Sequence, residues 1–296
     1  MEGKILIKGI LLNDSKKDIL IENGKIARVA DKVEVAQEEQ CKVIDGTGKA
    51  AIPGFVNMHT HSPMTLMRGY NEDAKLMDWL HSIWAVEARL DKEQIYWATK
   101  LACVEMIKTG TTCFNDMYWM VNTSVGAVKE MGLRSAHTQM ILDSKDPSKA
   151  DNLKKQMITA LEKSAEWGDM NRLTVGIHAP YSVSDAMIKW GCDFARDHGL
   201  KVHIHMSETE QENLDSVAQN GCSPFRHLER LGVLGPNMIA AHSLWLSDED
   251  MDIMAANGVT PVHNINSNLK LASGYRATKA PMAATMLEEG GIILPI

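Results

Sequence analysis

Two pairs of histidines, each with one residue between its members, could hold a metal ion. His59 and His61 follow one short apolar run, and His203 and His205 stand in another. Side chains two residues apart on a strand point to the same side, so both imidazoles of a pair can reach one ion. The alternative for the first pair is two unrelated polar residues near a turn.

These pairs lie in a region, from residue 51 onward, where short apolar runs alternate with longer helix-like stretches. Such alternation implies parallel strands with helices outside them, and eight strands at this spacing predict a (β/α)8 barrel of the TIM type. An open doubly wound sheet is the alternative, but no Gly-x-Gly-x-x-Gly loop follows the first strand. The predicted strands are 51–58, 111–117, 133–141, 173–178, 201–206, 238–242, 259–263 and 291–296.

Several of the intervening stretches open on a residue whose side chain can cap the first turn of a helix. Serine and aspartate accept hydrogen bonds from the free N–H groups at a helix start. The predicted caps are Asp91, Ser184, Ser207 and Ser247.

A barrel would bring the histidines together, because the carboxyl ends of its strands form the mouth at which active sites are built. Seven of the 11 histidines lie at such ends, at positions 59, 61, 178, 203, 205, 242 and 263. His205 lies nearer the mouth than His203, so we expect it to be the third ligand beside His59 and His61. His203 is then either an inward-facing supporting residue or an ordinary core histidine.

Three further residues could take part in chemistry at this mouth. Glu208, three residues past His205, could act as the general acid and base that hydrolysis requires, or could simply be a glutamate at a helix start. His242 could hydrogen-bond the attacking water or a developing oxyanion, and His178 is better placed for substrate contact. Either histidine could instead be a plain core residue.

The first 50 residues follow a different pattern, with short β-prone runs broken by turn signals such as Asn23-Gly24 and Asp45-Gly46. We predict a small antiparallel sheet that must pack on something else, because it cannot bury much core alone. The expected domains are therefore 1–50, which holds this small sheet, and 51–296, the barrel.

Composition excludes several classes of function. The net charge is −7 and no long basic run occurs, which argues against binding to nucleic acid or to a membrane surface through charge. No apolar run approaches about 20 residues, the length that spans a bilayer. The five cysteines are far apart and form no Cys-x-x-Cys, as in a reducing compartment. We expect a cytoplasmic protein.

Several segments resemble the amidohydrolase superfamily, in particular the branch of 5-methylthioadenosine/S-adenosylhomocysteine deaminases and triazine chlorohydrolases. The similarity is greatest at PGFVNMHTHSPMTLMRG, residues 53–69, which is similar to the opening of that family's barrel. The resemblance runs in order over nearly the whole chain. Its other segments are Asn71-Glu72-Asp73 followed by Trp79, Ala179-Pro180-Tyr181, His205-Met206-Ser207-Glu208, Ala240-Ala241-His242 and Ser267-Asn268-Leu269-Lys270-Leu271.

The resemblance implies a role for each matching residue. It implies that Glu208 is a proton shuttle that also contacts substrate, and that His242 polarises the nucleophilic water. It implies nucleoside contacts by Trp79 and His178, and binding of ribose hydroxyls by Glu87. The implied metal ligands are His59, His61 and His205. The metal is one divalent ion, zinc by ligand type, with iron or manganese as alternatives.

The chain departs from the family pattern at its C-terminal end and at Gln139. The family's eighth strand ends in Leu-Gly-Thr-Asp-Gly, whose aspartate binds the metal, whereas no aspartate follows His263 here. We therefore expect a barrel cut short in its eighth strand. The resemblance also implies that residues 1–50 are a small N-terminal β-sandwich portion, and we expect the C-terminal strands that complete such a sandwich to be missing here. Gln139 stands where some relatives carry an arginine that meets the far end of the substrate, which argues against a carboxylate-bearing nucleoside.

The function expected from these residues and this resemblance is metal-dependent hydrolytic deamination of an adenosine-type nucleoside, with release of ammonia. The resemblance also makes a homo-oligomer an expectation. Three alternatives remain. The first is another reaction of the superfamily: deamination of guanine, cytosine or a pterin, or hydrolysis of a triazine. The second is an inactive truncated fragment without the metal-binding aspartate, and the third is a binding module without metal.

Overall fold

The computed structural model describes residues 3–35 and 41–275. The chain divides into two compact units, Met1–Gly54 and Phe55–Ile296. The predicted strand 291–296 lies outside the described residues. Within the described residues, no helix is both long and apolar enough to cross a membrane.

The first unit contains a four-stranded sheet in the order β3-β2-β1-β4. β2 pairs antiparallel with both β1 and β3, as predicted, but β4 pairs parallel with β1. The prediction of a wholly antiparallel sheet was therefore wrong. Tight turns join the first three strands, whereas the longer connection after β3 lets the chain return to the other edge of β1. The strands are β1 (Lys4–Leu12), β2 (Ser15–Glu22), β3 (Lys25–Ala30) and β4 (Cys41–Asp45).

The second unit contains a sheet of seven strands in sequential order, and every neighbouring pair is parallel. The sheet curls into a nearly closed barrel, which confirms the predicted α/β barrel for the described part of the chain. The strands are β5 (Phe55–Thr60), β6 (Thr111–Met117), β7 (Arg134–Ile141), β8 (Asn171–Ile177), β9 (Val202–Met206), β10 (Met238–His242) and β11 (Thr260–Val262).

Helices connect the barrel strands, as a parallel sheet requires. The helices are α1 (Leu76–Glu87), α2 (Lys92–Thr109), α3 (Val121–Met131), α4 (Ala150–Ser164), α5 (Asp185–Asp197), α6 (Glu210–Asn220), α7 (Pro224–Leu231), α8 (Asp248–Asn257) and α9 (Ile265–Lys270). Short 3-10 turns occupy Ser62–Met67 and Pro147–Lys149.

The structure tests the four predicted helix caps directly. Asp91, Ser184 and Ser247 each accept a hydrogen bond from the first turn of α2, α5 and α8, so these predictions are confirmed. Ser207 was wrong as the cap of α6, because Thr209 caps that helix. Ser207 lies in a turn with φ of 47° instead.

The largest core cluster lies between the strands of the barrel and the helices that cover them. Every residue of β9 and of β10 is buried. Ile177, Ile188 and Phe225 are fully buried in this cluster, and burying each such side chain contributes about 1.5–3 kcal/mol. The well-packed strands therefore give a rigid support for the residues at their carboxyl ends.

Candidate active site

Three barrel strands end in histidines whose rings meet in one buried cluster. His59 and His61 stand at the end of β5, His205 is on β9 and His242 ends β10. The ring centre of His59 lies 4.8 Å from those of His61 and His205, and 5.3 Å from that of His242. Four strands separate β5 from β10 in the sheet, so the curvature of the barrel brings these rings together.

The ring nitrogens of this cluster are close enough to share one metal ion. Among the described residues, one nitrogen each of His59, His205 and His242 lies within 4.8 Å of the others. His61 Nε2 lies 3.3 Å from His205 Nε2, about the separation of two nitrogens bound to one tetrahedral zinc at ~2.0–2.1 Å. His59, His61 and His205 therefore lie together, with His242 as a fourth imidazole, and the ligand set stays a prediction.

Hydrogen bonds on the far side of these rings set which nitrogen carries the proton. His61 Nδ1 lies 2.7 Å from the Met117 carbonyl oxygen, and His205 Nδ1 lies 2.6 Å from the His178 carbonyl oxygen. A carbonyl oxygen only accepts, so Nδ1 donates in both rings and Nε2 keeps its lone pair. Such partners are typical of metal-binding histidines.

The other two rings are held through Nδ1 as well. His242 Nδ1 lies 2.7 Å from Asn268 Oδ1, and His59 Nδ1 lies 2.8 Å from His203 Nε2. Burial lowers the pKa of His59, His61 and His205, and lowers that of His242 to about 4. These imidazoles are neutral near pH 7, the state in which histidine binds a metal. The donor set fits a divalent ion of borderline softness such as zinc.

Glu208 lies beside the cluster, in the loop between β9 and α6. Its carboxyl group is buried, and Glu208 Oε1 lies 3.5 Å from His242 Nδ1. Burial raises the pKa of Glu208 to about 8, with a further contribution from the nearby Glu212 carboxylate. A carboxyl group in this state can give up a proton near neutral pH, as a general acid must.

Glu212 is a buried glutamate that was not among the predicted site residues. Its carboxylate accepts backbone hydrogen bonds from Ser207 and Glu208, at 3.0 and 2.8 Å. Once Thr209 is recognised as the cap of α6, Thr209-x-x-Glu212 has the spacing of a capping box. That spacing is the signal that could have identified Glu212.

The substrate-side candidates line a small cavity next to the histidines. Trp79 and Glu87 are on α1, and His178 follows β8. The cavity has a volume of about 90 Å³, and its walls include seven of the eight predicted site residues: His61, Trp79, Glu87, His178, His205, Glu208 and His242. The eighth, His59, lines an adjoining cavity of about 440 Å³ that shares His61 and Trp79 with the first.

Tyr118 is a further site residue that no sequence pattern singled out. Its phenol donates a hydrogen bond of 2.6 Å to Glu87 Oε1. Burial raises the pKa of Glu87, and the bond to Tyr118 opposes that rise. Glu87 and Tyr118 line the small cavity beside the histidines and also a larger cavity of about 720 Å³. Glu87 is thus held at the boundary between two cavities.

Comparison with known proteins identifies curated relatives over most of the chain. A model of the amidohydrolase family matches residues 50–294. The 5′-deoxyadenosine deaminase of Methanothermobacter thermautotrophicus is 40% identical over 276 residues, which cover 91% of this chain and 64% of that protein. The 5-methylthioadenosine/S-adenosylhomocysteine deaminase of Carboxydothermus hydrogenoformans is 39% identical over 303 residues, covering 99% of this chain and 68% of that protein. The chain thus spans about two thirds of the length of these relatives.

Solved structures share the same barrel. An adenosine deaminase from Xanthomonas campestris with bound zinc has a TM-score of 0.82 at 33% identity, covering 93% of this chain and 65% of that one. The zinc complex of atrazine chlorohydrolase from Arthrobacter aurescens has a TM-score of 0.81 at 21% identity, covering 98% of this chain and 70% of that one, and supports the fold alone. By its family match and its relatives, the chain belongs to the amidohydrolase family.

Proposed function

We propose that this protein is a metal-dependent hydrolase that deaminates adenosine-type nucleosides and releases ammonia. The observation that carries the proposal is the cluster of four neutral imidazoles beside the buried Glu208 carboxyl group. Metal ligands and a proton carrier are the two parts that metal-assisted hydrolysis needs. The named deaminases at about 40% identity support the nucleoside as substrate.

The amidohydrolase family is metal-dependent, and we propose one divalent ion, zinc, held by His59, His61 and His205. Iron and manganese are the alternatives, since nitrogen and oxygen ligands accept several metals. When bound, the ion supplies the Lewis acidity that lowers the pKa of a water molecule toward ~7. The Nε2 atoms directed into the cluster support this assignment, because their lone pairs are free.

Glu208 and His242 would handle the protons and the developing charge. The oxygen of water bonds to C6 of the adenine ring, and the C6–N bond breaks. One proton of water goes to the adjacent ring nitrogen and the other leaves with ammonia. Glu208, protonated near neutral pH, would give its proton to the ring nitrogen and take a proton from the water in exchange, which restores the carboxyl group. His242, fixed by Asn268, would orient the water and stabilise the oxygen as C6 becomes tetrahedral.

The remaining candidates would bind the nucleoside. Trp79 offers an apolar surface for the purine ring. Glu87, held by the Tyr118 phenol, would accept hydrogen bonds from the ribose hydroxyls. His178 donates or accepts at Nδ1 with the Ser182 hydroxyl, 2.7 Å away, and its other nitrogen is the one available to substrate. The expected partner is this small molecule, and a homo-oligomer stays a prediction.

A panel of substrates at equal concentration tests the proposal. The zinc-supplemented protein is incubated with 5′-deoxyadenosine, 5-methylthioadenosine, S-adenosylhomocysteine, adenosine, guanine, cytosine and a chlorotriazine, and ammonia and chloride are measured. We expect ammonia only with the adenosine-type nucleosides. Ammonia from guanine or cytosine alone, or chloride from the triazine, would replace this proposal with another reaction of the family. A protein that binds zinc and turns over nothing would favour the inactive alternative.

A further inference from the structure

His203 is a buried histidine for which the proposed reaction has no use, yet both of its ring nitrogens have partners. The residue is on β9, two positions before His205, and is fully inaccessible to solvent. His203 Nε2 lies 2.8 Å from His59 Nδ1, and His203 Nδ1 lies 3.1 Å from Thr138 Oγ1. Thr138 Oγ1 in turn lies 2.7 Å from Thr174 Oγ1. A continuous chain of hydrogen bonds therefore runs from the His59 ring across β9 to β7 and β8.

The strand register and a glycine leave space for this series of hydrogen bonds. Thr138 pairs with Thr174 in the register of β7 and β8, and Gly176 pairs with His203 in the register of β8 and β9. A Cβ atom at Gly176 would lie 2.2 Å from Thr138 Cγ2, a distance that no side chain tolerates. Only glycine at position 176 leaves Thr138 room to reach His203.

The proton positions along this chain follow from the chemistry of a single ring. A neutral imidazole has one donor and one acceptor, so a ring that accepts a hydrogen bond at one nitrogen donates one from the other. A metal ion at His59 Nε2 requires the proton of that ring to be on Nδ1, from which it is donated to His203 Nε2. His203 then carries its own proton on Nδ1 and donates it to Thr138, whose hydroxyl can donate to Thr174.

We propose that His203, held by Thr138, is a positioning residue that fixes the ring orientation and the tautomer of His59 for metal binding. The inference rests on the proposed metal site and adds the residue that prepares one of its ligands. Partners of this kind typically change metal affinity by about 10–100-fold when they are removed. A histidine that merely filled the core would affect the stability of the protein without affecting its affinity for zinc.

Two substitutions at His203 separate positioning from packing. His203→Leu fills the space but cannot accept a hydrogen bond, whereas the side-chain oxygen of His203→Gln can accept one from His59 Nδ1. The dissociation constant of zinc is measured on the metal-free full chain by competition with a chromophoric chelator, and thermal unfolding of the metal-free proteins is recorded in parallel. We expect His203→Leu to weaken zinc binding about 10–100-fold and His203→Gln to restore most of the loss.

Two further variants serve as a control for the loss of a buried histidine and as a substitute if His203→Leu does not fold. His137→Leu removes another buried strand histidine that hydrogen-bonds Ser135 rather than a predicted ligand, and we expect its zinc affinity to match the wild type. If His203→Leu does not fold, Thr138→Val removes the supporting hydroxyl with little change of shape, and we expect zinc binding to weaken several-fold.

The outcomes distinguish this inference from the proposed function. A wild-type protein that binds zinc, with unchanged affinity in His203→Leu or in Thr138→Val, contradicts the inference and leaves the function standing. Equal weakening in His203→Leu and His203→Gln, with matching losses of thermal stability, assigns His203 to packing and also contradicts it. A wild-type protein without affinity for zinc contradicts both proposals.

Discussion

The carboxylate of Glu212 accepts a hydrogen bond of 2.8 Å from the backbone N–H of Glu208. A second bond, of 3.0 Å, comes from the N–H of Ser207, whose backbone φ of 47° is unusual for a residue other than glycine. Glu212 therefore holds a strained turn in the conformation that points Glu208 toward the histidines. The same carboxylate contributes to the raised pKa of Glu208.

Replacing Glu212 by glutamine should impair catalysis without removing the metal. An amide has one acceptor atom where the carboxylate has two, so one of the two backbone N–H groups loses its partner. We expect kcat to fall about 10–100-fold, zinc content to stay unchanged and the free energy of unfolding to fall by about 1–3 kcal/mol. Glu210→Gln, in the same first turn but exposed, is the matched control. Full activity in Glu212→Gln would show that the turn does not depend on this carboxylate.

Tyr118→Phe should weaken substrate binding rather than the chemical step. The variant removes only the phenol that donates to Glu87 Oε1, so the Glu87 side chain loses the group that holds it in the position proposed for ribose binding. We expect KM for an adenosine-type nucleoside to rise about 5–20-fold, which corresponds to about 1–2 kcal/mol, the order of one hydrogen bond, with a smaller change in kcat. Tyr96→Phe, whose phenol bonds the exposed Glu130, is the control. An unchanged KM would separate Glu87 from nucleoside binding.

Gly176→Ala should disturb the barrel where Gly126→Ala does not. A Cβ at position 176 would lie 2.2 Å from Thr138 Cγ2, whereas nothing lies within 4 Å of a Cβ at Gly126 in α3. Overpacking of this kind costs about 1–3 kcal/mol, and the displaced Thr138 should also weaken zinc binding. In the helix interior, Gly126→Ala should be neutral or stabilising by about 0.5–1 kcal/mol. Denaturant unfolding of both variants provides the comparison, and equal stability would show that Thr138 is not confined by Gly176.

Buried ionisable groups should make the stability of the metal-free protein fall on both sides of a pH optimum. Burial lowers the pKa of His137 and His203 to about 3, so their stabilising contribution is present above about pH 6.5 and is lost as pH falls toward 3. Burial raises the pKa of Asp116 and Glu212 to about 7 and that of Glu208 to about 8. The contribution of these protonated carboxyl groups is present below their unfolded pKa of about 4 and is lost as pH rises through 7–8.

Thermal unfolding between about pH 3 and pH 9 measures this dependence. Between about pH 4 and 6.5 the histidines and the carboxyl groups have opposite effects on how stability changes with pH. Outside that window only one of the two sets titrates. The unfolding temperature should therefore fall from about pH 6.5 to pH 8.5, and should also fall below about pH 4. An unfolding temperature that rises between pH 6.5 and 8.5 would mean that ionising the three buried carboxyl groups does little to destabilise the folded protein.

Local signals in the sequence were sufficient to locate the seven barrel strands of the described residues and the histidines at their ends. The bounds of β6 and β10 agree with the prediction residue for residue, because each strand lies between clear helix-like segments. Their parallel order then placed His59, His61, His205 and His242 at one end of the barrel. That conclusion needs only the alternation of elements and the rule that all strands point the same way.

The partners of those histidines could not be predicted, because they depend on distances between strands far apart in the chain. Thr138 and His203 are 65 residues apart and meet only through the register of β7, β8 and β9. The direction of β4 was missed for the same reason, since local runs and turns do not fix which edge of a sheet a strand joins. At Ser207, a local rule selected a plausible cap, but the Glu212 carboxylate accepts a hydrogen bond from the Ser207 N–H and Thr209 caps the helix.

Glu208→Gln provides the most direct test of the central claim, that this site hydrolyses a nucleoside with Glu208 as its proton carrier. Wild type, Glu208→Gln and the exposed control Glu210→Gln are loaded with zinc, and ammonia release from 5′-deoxyadenosine and zinc content are measured on the same samples. We predict ammonia from the wild type and the control, none from Glu208→Gln, and equal zinc in all three. Ammonia release by Glu208→Gln near the wild-type rate would contradict the account.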